Sequence, residues 1–330
     1  MYNLYQSQLR KDIQHEIYRK PTFTVKIFGK EYFWTIKEKK IGPWKLSRYQ
    51  VMGVELPSDK EYVRGEITKL KKHFRKKWIF LQLWCINEIV RFDNVTHTSE
   101  EFGPDMREMR LKLQEILCAD YGFKIAFREN MPNSDITADV SKTDEQLFAE
   151  MNSGAKSRIK KAMKSNIAFT VATPDQYKSF YDKRLETSGN KWFNIVPYEQ
   201  FERLIKFITQ HGCGNLFVTS RDDELCSGNM CVYDGKHIIY MYGFTDRKFG
   251  KLWSHHYLNY RMFWRARDNG FLSYDFMGGA PTGFPEHPLT SVSEFKESLG
   301  GTKIEQYGSY DIVFNKFLYR VFKMYYKFRG

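Results

Sequence analysis

The stretch from Gly270 to Asp311 constrains this chain more than any other. Phe271-Leu272-Ser273-Tyr274-Asp275-Phe276 has the apolar and aromatic make-up of a buried strand, with one acid inside it. Met277-Gly278-Gly279-Ala280-Pro281 follows, where two glycines and a proline end regular structure and let other groups approach the backbone. After a loop comes Glu294-Phe295-Lys296-Glu297-Ser298-Leu299-Gly300-Gly301, with a lysine behind an aromatic residue and ahead of a glycine turn. Ile304 to Tyr310 then returns to strand composition. Such a chain is expected to close a strand–loop–strand corner around one lysine.

Before that corner, short strands alternate with amphipathic helices. Hydrophobic spacing predicts a helix over 3–19, strands over 22–28, 32–37, 45–51 and 78–83, and a charged helix over 60–77. A second amphipathic helix over 101–121 and a strand over 122–127 follow. Residues 129–139, ENMPNSDITAD, are rich in turn formers and are expected to be a domain boundary. Beyond it, Ser141 with Asp144 predicts a capped helix start. Helices over 156–165, 174–188, 197–210 and 251–268 are then interleaved with strands over 167–170, 215–220, 226–233 and 237–243. At roughly 150 residues per domain, 330 residues favour two units, 1–139 and 140–311. The stripe Phe314, Phe317, Leu318, Val321, Phe322, Tyr325, Phe328 predicts an amphipathic C-terminal helix, with Lys316, Arg320, Lys323, Lys327 and Arg329 off the stripe.

The order Tyr-Asp-Phe, Gly-Gly, loop, Phe-Lys, Gly-Gly, strand ending in Asp311 resembles the C-terminal half of the FemABX aminoacyltransferases. Leu4-Tyr5-Gln6-Ser7, the basic segment 158–164 and Tyr240-Met241-Tyr242-Gly243 are similar to further stretches of that family. The resemblance implies an α/β (α+β) fold of two tandem GNAT-like domains with mixed, largely antiparallel sheets. No coiled-coil insertion is present, and the C-terminal helix 312–330 is expected to return to the first domain. It also implies transfer of an amino acid from aminoacyl-tRNA to a UDP-linked or lipid-linked peptidoglycan precursor, with no cofactor. Lys296 would stabilise the oxyanion, Phe295 would shape the pocket, and Tyr242 and Asp275 would line the cleft. Arg158, Lys160, Lys161 and Lys164 would contact tRNA. Where the family carries an arginine associated with the precursor's phosphates this sequence has Val196, so Lys191 is the candidate replacement.

The formal charge of +13 agrees with a polyanionic partner: RNA, a nucleotide-linked precursor or an anionic membrane met peripherally. Five scattered cysteines with no C-x-x-C pair argue against a disulfide framework or a zinc site, and predict a reducing cytoplasm. The polar N-terminus does not resemble a signal peptide, and no run reaches the roughly 18 apolar residues of a membrane span. His255 and His256 are adjacent rather than four apart, so they are expected to be incidental, and no metal site is expected. A monomer is expected. Two other readings stay open. Arg247-x-x-Gly250-x-Leu252 matches part of the phosphate turn of CoA-dependent N-acyltransferases, which favours an enzyme of that kind. The alternative is a tRNA- or precursor-binding module without chemistry.

Overall fold

A computed structural model describes residues 6–41, 44–74, 79–92, 103–127, 133–188 and 195–327. The first half runs α1 (Gln8–Asp12), a π-helical turn (Ile13–Ile17), β1 (Thr22–Ile27), β2 (Lys30–Ile41), β3 (Trp44–Val54), α2 (Lys60–Phe74), β4 (Phe80–Phe92), α3 (Gly103–Tyr121) and β5 (Lys124–Ile125). The chain continues through β6 (Ser134–Asp139), α4 (Asp144–Glu150), α5 (Ser153–Met163), β7 (Ala168–Val171), α6 (Gln176–Ser188) and α7 (Tyr198–Gln210). Then come β8 (Gly214–Arg221), β9 (Glu224–Asp234), β10 (His237–Thr245), a 3-10 turn (Arg247–Leu252) and α8 (Ser254–Asp268). Last are β11 (Ser273–Gly278), α9 (Thr290–Ser298), β12 (Thr302–Val313) and α10 (Lys316–Lys327).

The twelve strands among the described residues join one sheet in the order β1-β2-β3-β4-β12-β6-β11-β10-β9-β8-β7, with β5 added against β12. Most pairs are antiparallel; β3 with β4 and β10 with β11 are parallel. β12 is the seam. It pairs with β4 from Lys303↔Phe92 to Val313↔Phe80, and its first residues also pair with β6. Three apolar cores lie along the sheet. Trp34, Val51, Leu83 and Tyr310 pack with α2 and α3 in one half. In the other half Tyr274, Phe276 and Phe263 pack under α8, and Phe180, Phe201 and Phe244 pack under α6 and α7. Phe201, Leu204, Ile205 and Ile208 of α7 are fully buried at helical spacing, which is why that segment is a helix here.

Three local expectations change. Residues 134–139 form β6, between β12 and β11 in the middle of the sheet, and not a linker. Asp, Ser and Thr look like turn formers in sequence, yet Ile136 and Ala138 alternate with them and face the core. The helix cap is a Thr143–Gln146 capping box, while Ser141 bonds back to Asp139. The first helix, expected within the first unit, sends Ile13 and Ile17 into the core of α6 and α7. At the other end of the chain, Tyr319 and Phe322 of α10 pack on Ile79 and Phe80, next to β4. Each chain end therefore covers the opposite half. Among the described residues no helix is long and apolar enough to cross a membrane.

Candidate active site

The site forms where the second parallel pair ends. β10 and β11 pair at His237↔Ser273, Ile238↔Tyr274 and Ile239↔Asp275, and no further. Past that point β10 bulges between Tyr240 and Tyr242, and β11 is bulged against β6 between Asp275 and Gly278. Met277 sits in that second bulge with φ 62°, a left-handed conformation rare for a methionine. Two strands that separate here leave main-chain groups and side chains to face one another across the gap.

Lys296 reaches this point from α9. Its Nζ donates to the carbonyls of Met277 (3.0 Å) and Gly278 (2.7 Å), and the residue is only 6% exposed. Two glycines let the helix come so close. A Cβ on Gly279 would lie 2.6 Å from Ser293 Oγ, and one on Gly301 would lie 2.5 Å from Ile136 Cγ2 and 2.9 Å from the Lys296 carbonyl. Gly279 and Gly301, one from each glycine pair of the sequence, are thus the clearance that seats Lys296 against β11 and β6.

Asp275, expected to line the cleft, lies near the Lys296 ammonium together with Asp135 of β6. The two carboxyls lie near one another and near the ammonium, so each influences the other's ionisation. Burial raises the pKa of both, and Asp275 feels Asp135 in addition. Burial also lowers Lys296 to about 8, against the opposing pull of Asp135 and Asp275. Desolvation therefore outweighs two neighbouring acids. The lysine has opposite charge at hand in these acids, which makes its burial tolerable. Asp135 escaped the sequence reading because its segment resembled a linker; the alternation of Ile136 and Ala138 around it was the available signal.

Phe295 faces the other way. Its ring lies 5.0 Å from His255 and 4.9 Å from His256. The two histidines are not incidental. His255 is held between Thr245 Oγ1 (2.7 Å) and Asn229 Oδ1 (3.0 Å), with Tyr240 OH at 3.3 Å. His256 meets Arg158 Nη1 at 3.2 Å, and burial first, then that cation, lowers its pKa to about 4. Arg158 also stacks over Trp253 at 4.7 Å. It thus points back onto α8, whereas a contact with solvent-borne RNA had been expected. Lys160, Lys161 and Lys164 are exposed, and with Lys156, Ser153 and Ser157 they rim an open depression of about 420 Å³.

Tyr242 lies among cations and phenols. Its hydroxyl is 3.1 Å from Tyr18 OH, and the Arg184 guanidinium sits 4.0 Å over its ring. Arg184 is 9% exposed, and its Nη1 has no hydrogen-bond partner. Lys20 is half-buried nearby over the Tyr18 ring, and its pKa is lowered by burial, then by Arg10 and Arg48. The structure thus assembles Arg10, Lys20, Arg48 and Arg184 from three separate segments, which no local pattern could have shown. Lys191 lies outside the described residues. Asn87 of β4 bonds both main-chain groups of Leu56 (2.8 and 3.0 Å). Among the described residues no cluster of His, Cys, Asp and Glu suits a metal ion.

With this geometry in place, the chain was compared with known proteins. A family described as an acetyltransferase (GNAT) domain matches residues 151–287. Two curated relatives are named lipid II:glycine glycyltransferase. The Staphylococcus saprophyticus protein is 28% identical over 95 residues, and that of Staphylococcus aureus (strain USA300) is 31% identical over 97. Each match covers 29% of this chain and 23% of the relative, so the matched stretch spans under a quarter of the relatives' length. The crystal structure of FemX aligns with 97% of this chain and 94% of its own, with a TM-score of 0.70 and 16% identity. L-PGS from Bacillus licheniformis aligns over 94% and 93%, with a TM-score of 0.50 and 11% identity. A GNAT match inside the second half, staphylococcal relatives within one stretch and the FemX structure along nearly the whole chain converge on one fold, and the chain has a GNAT-like fold similar to that of FemX.

Proposed function

We propose that this protein transfers an amino acid from aminoacyl-tRNA to the stem peptide of a peptidoglycan precursor. The observation that carries the reading is the placement of Lys296, a buried ammonium fixed where β10 and β11 part. Two of its three N–H groups hold the carbonyls of Met277 and Gly278, which fixes the direction of the third. In the reaction the precursor's amine forms an N–C bond to the ester carbonyl, and the charge develops on the carbonyl oxygen. Lys296 stabilises that oxyanion. The C–O bond to the ribose then breaks, and the amine's proton leaves with the ribose hydroxyl. Asp135 and Asp275 keep the lysine in place, and Phe295, packed on His255 and His256, holds α9 against α8. The cations Arg10, Lys20, Arg48 and Arg184 suit the phosphates of the precursor, a role in which Arg184 stands in for the arginine missing at Val196. Lys160, Lys161 and Lys164 suit the tRNA backbone.

The CoA-dependent reading has a specific obstacle. In such enzymes the turn after the β10-like strand offers free N–H groups to a pyrophosphate. Here that turn is Arg247–Leu252, and the carboxylate of its N-cap Asp246 already accepts from Lys248 N at 2.8 Å. Asp246 is also ion-paired with Lys183. An acid occupies the place a phosphate would take.

The deciding experiment incubates the purified protein with charged tRNAs and UDP-linked or lipid-linked precursor, and separately with acyl-CoA, and weighs the products. The expected product is precursor plus one amino acid, with no acylation from CoA. Lys296→Met should lower the transfer rate by about 2–4 kcal/mol in barrier, about thirtyfold to a thousandfold. Product from CoA alone would establish the rival enzyme. Transfer unaffected by Lys296→Met would remove the lysine from the chemistry, and no transfer with intact tRNA binding would indicate a binding module.

A further inference from the structure

The C-terminal helix α10 was expected to return to the first domain, and its side chains do more than that. They divide between a buried side and an outer one. At 3.6 residues per turn, Tyr319, Phe322 and Tyr326 fall on one side of the helix. Tyr319 and Phe322 are each 2% exposed, packed on Ile79, Phe80 and Phe127. Tyr319 is locked further by its hydroxyl, which donates to Asp311 Oδ2 at 2.8 Å. This side is a core contact.

The remaining surface has two components. Lys316, Arg320, Lys323 and Lys327 fall within an arc of about 60° at 3.6 residues per turn. All four are exposed, and none forms an ion pair among the described residues. The helix contains no acid. Beside that cationic stripe, on the flank away from Tyr319, lie Phe317 at 64% exposure and Met324 at 53%. The half-buried Val321 and Tyr325 continue this apolar flank. Neighbouring elements add to the positive charge. Lys124 of β5 reaches over the Tyr319 ring at 5.7 Å. Lys71, at the end of α2, lies near Lys316, and its pKa is lowered by burial first and by that charge second.

We propose that this outer face of α10 is the surface by which the protein docks on an anionic lipid bilayer. Phe317 and Met324 enter the headgroup region while Lys316, Arg320, Lys323 and Lys327 meet lipid phosphates. A row of cations bordering large apolar groups is the arrangement that binds such surfaces. It is less suited to nucleic acid: the backbone of RNA rewards the cations, but gives Met324 no reason to be exposed. The helix is anchored through Tyr319 and Phe322, so the membrane meets a preformed surface and no folding accompanies binding. This proposal concerns a helix packed on Ile79 and Phe80 in the first half and does not depend on the chemistry assigned to Lys296.

The test sediments the full-length protein with vesicles of phosphatidylcholine alone, and with vesicles containing about one-third phosphatidylglycerol. Binding is expected to the anionic vesicles and to weaken as salt rises. Arg320→Gln, Lys323→Gln and Lys327→Gln together should reduce partitioning about a hundredfold, at roughly fivefold per cation removed. Phe317→Ser with Met324→Ser should reduce it while leaving the salt dependence in place. Each altered residue is exposed, so circular dichroism and thermal melting should match the parent, and transfer to a soluble precursor should be unchanged. Equal binding to neutral vesicles, or full binding by the triple variant, would overturn the proposal. So would a triple variant that loses tRNA affinity when the parent binds no vesicles; the stripe would then belong to RNA.

Discussion

The two halves of the sheet each contain one parallel strand pair, and the pairs end differently. In the first half β3 and β4 stay in register from Arg48↔Phe80 to Met52↔Trp84 and resume at Val54↔Cys85 after a bulge. In the second half β10 and β11 separate after three positions. Both halves bury polar groups near these strands. Beside the longer pair they satisfy each other: Gln50 meets Gln82 (3.3 Å), Gln82 meets Asp311 (3.2 Å), and Tyr319 closes the row. Beside the shorter pair they are two acids, Asp135 and Asp275, and a lysine, Lys296, which retains an N–H to offer. One architecture therefore gives a closed scaffold and an open site. The length of the parallel pairing and the choice of amide or ion mark the difference.

The comparison breaks first at Lys296. Its pKa is lowered to about 8, mainly by burial. If the charged form stabilises the oxyanion, the transfer rate should fall about tenfold per pH unit above that value. Stability changes the other way. The folded protein binds fewer protons than the unfolded chain between about 8 and the ordinary lysine value, so this group makes folding more favourable as pH rises through that window. Activity lost on a fold that is not loosening would separate catalysis from unfolding. Lys296→Arg keeps the charge at all these pH values and should erase the alkaline limb. It should also slow transfer, because a planar guanidinium does not fit a site shaped by the Met277 and Gly278 carbonyls. A parent rate that stays level to pH 10 would show that the ammonium is only a strut.

The contrast also explains what the sequence could reveal. Gly278-Gly279 and Gly300-Gly301 mark close backbone approach whatever the tertiary setting, and Phe295-Lys296 between them was legible at once. Helix α7 and the α10 stripe were legible because periodicity is local. Asp135 was not: a Ser-Asp-x-Thr stretch resembles a linker until both neighbouring strands are known. Tyr18, Arg184 and Tyr242 meet across more than 200 residues, from Tyr18 to Tyr242. Arg158 was taken for a phosphate contact because a basic helix does not show which cation turns inward. Its partners Trp253 and His256 lie about 100 residues on.

In the closed half, Asp311 offers a smaller effect. Burial pushes its carboxyl up to about 6, although Tyr319 and Gln82 both bond it. The folded protein keeps this proton where the unfolded chain has released it. Stability should therefore fall as pH rises from about 4 to about 6, by about 2–3 kcal/mol for a gap of roughly two pK units. Asp311→Asn cannot ionise and should lack that part of the slope in urea denaturation at a series of pH values. Its activity should be near normal if this half is scaffold. Loss of transfer in a variant that remains folded would show that the closed half takes part in the chemistry.

The smallest effect is expected at Tyr242, on the border of the open site. Its hydroxyl and that of Tyr18 bond at 3.1 Å, and one of the two donates. Burial raises the Tyr18 phenol well above its ordinary pKa, so it stays neutral at any working pH. Tyr242→Phe deletes one hydroxyl and leaves Tyr18 with one partner fewer. A net cost of about 1 kcal/mol in stability follows. The ring beneath Arg184 is preserved, so the cation should stay where the proposed phosphates bind. KM for the precursor should rise by less than about fivefold, with kcat unchanged. Tyr242→Leu removes the ring as well, and should raise KM further as Arg184 loses the face it rests on. If Tyr242→Phe instead lowers kcat with KM unchanged, the hydroxyl acts in the transition state. The open half would then hold a second reacting group beside Lys296.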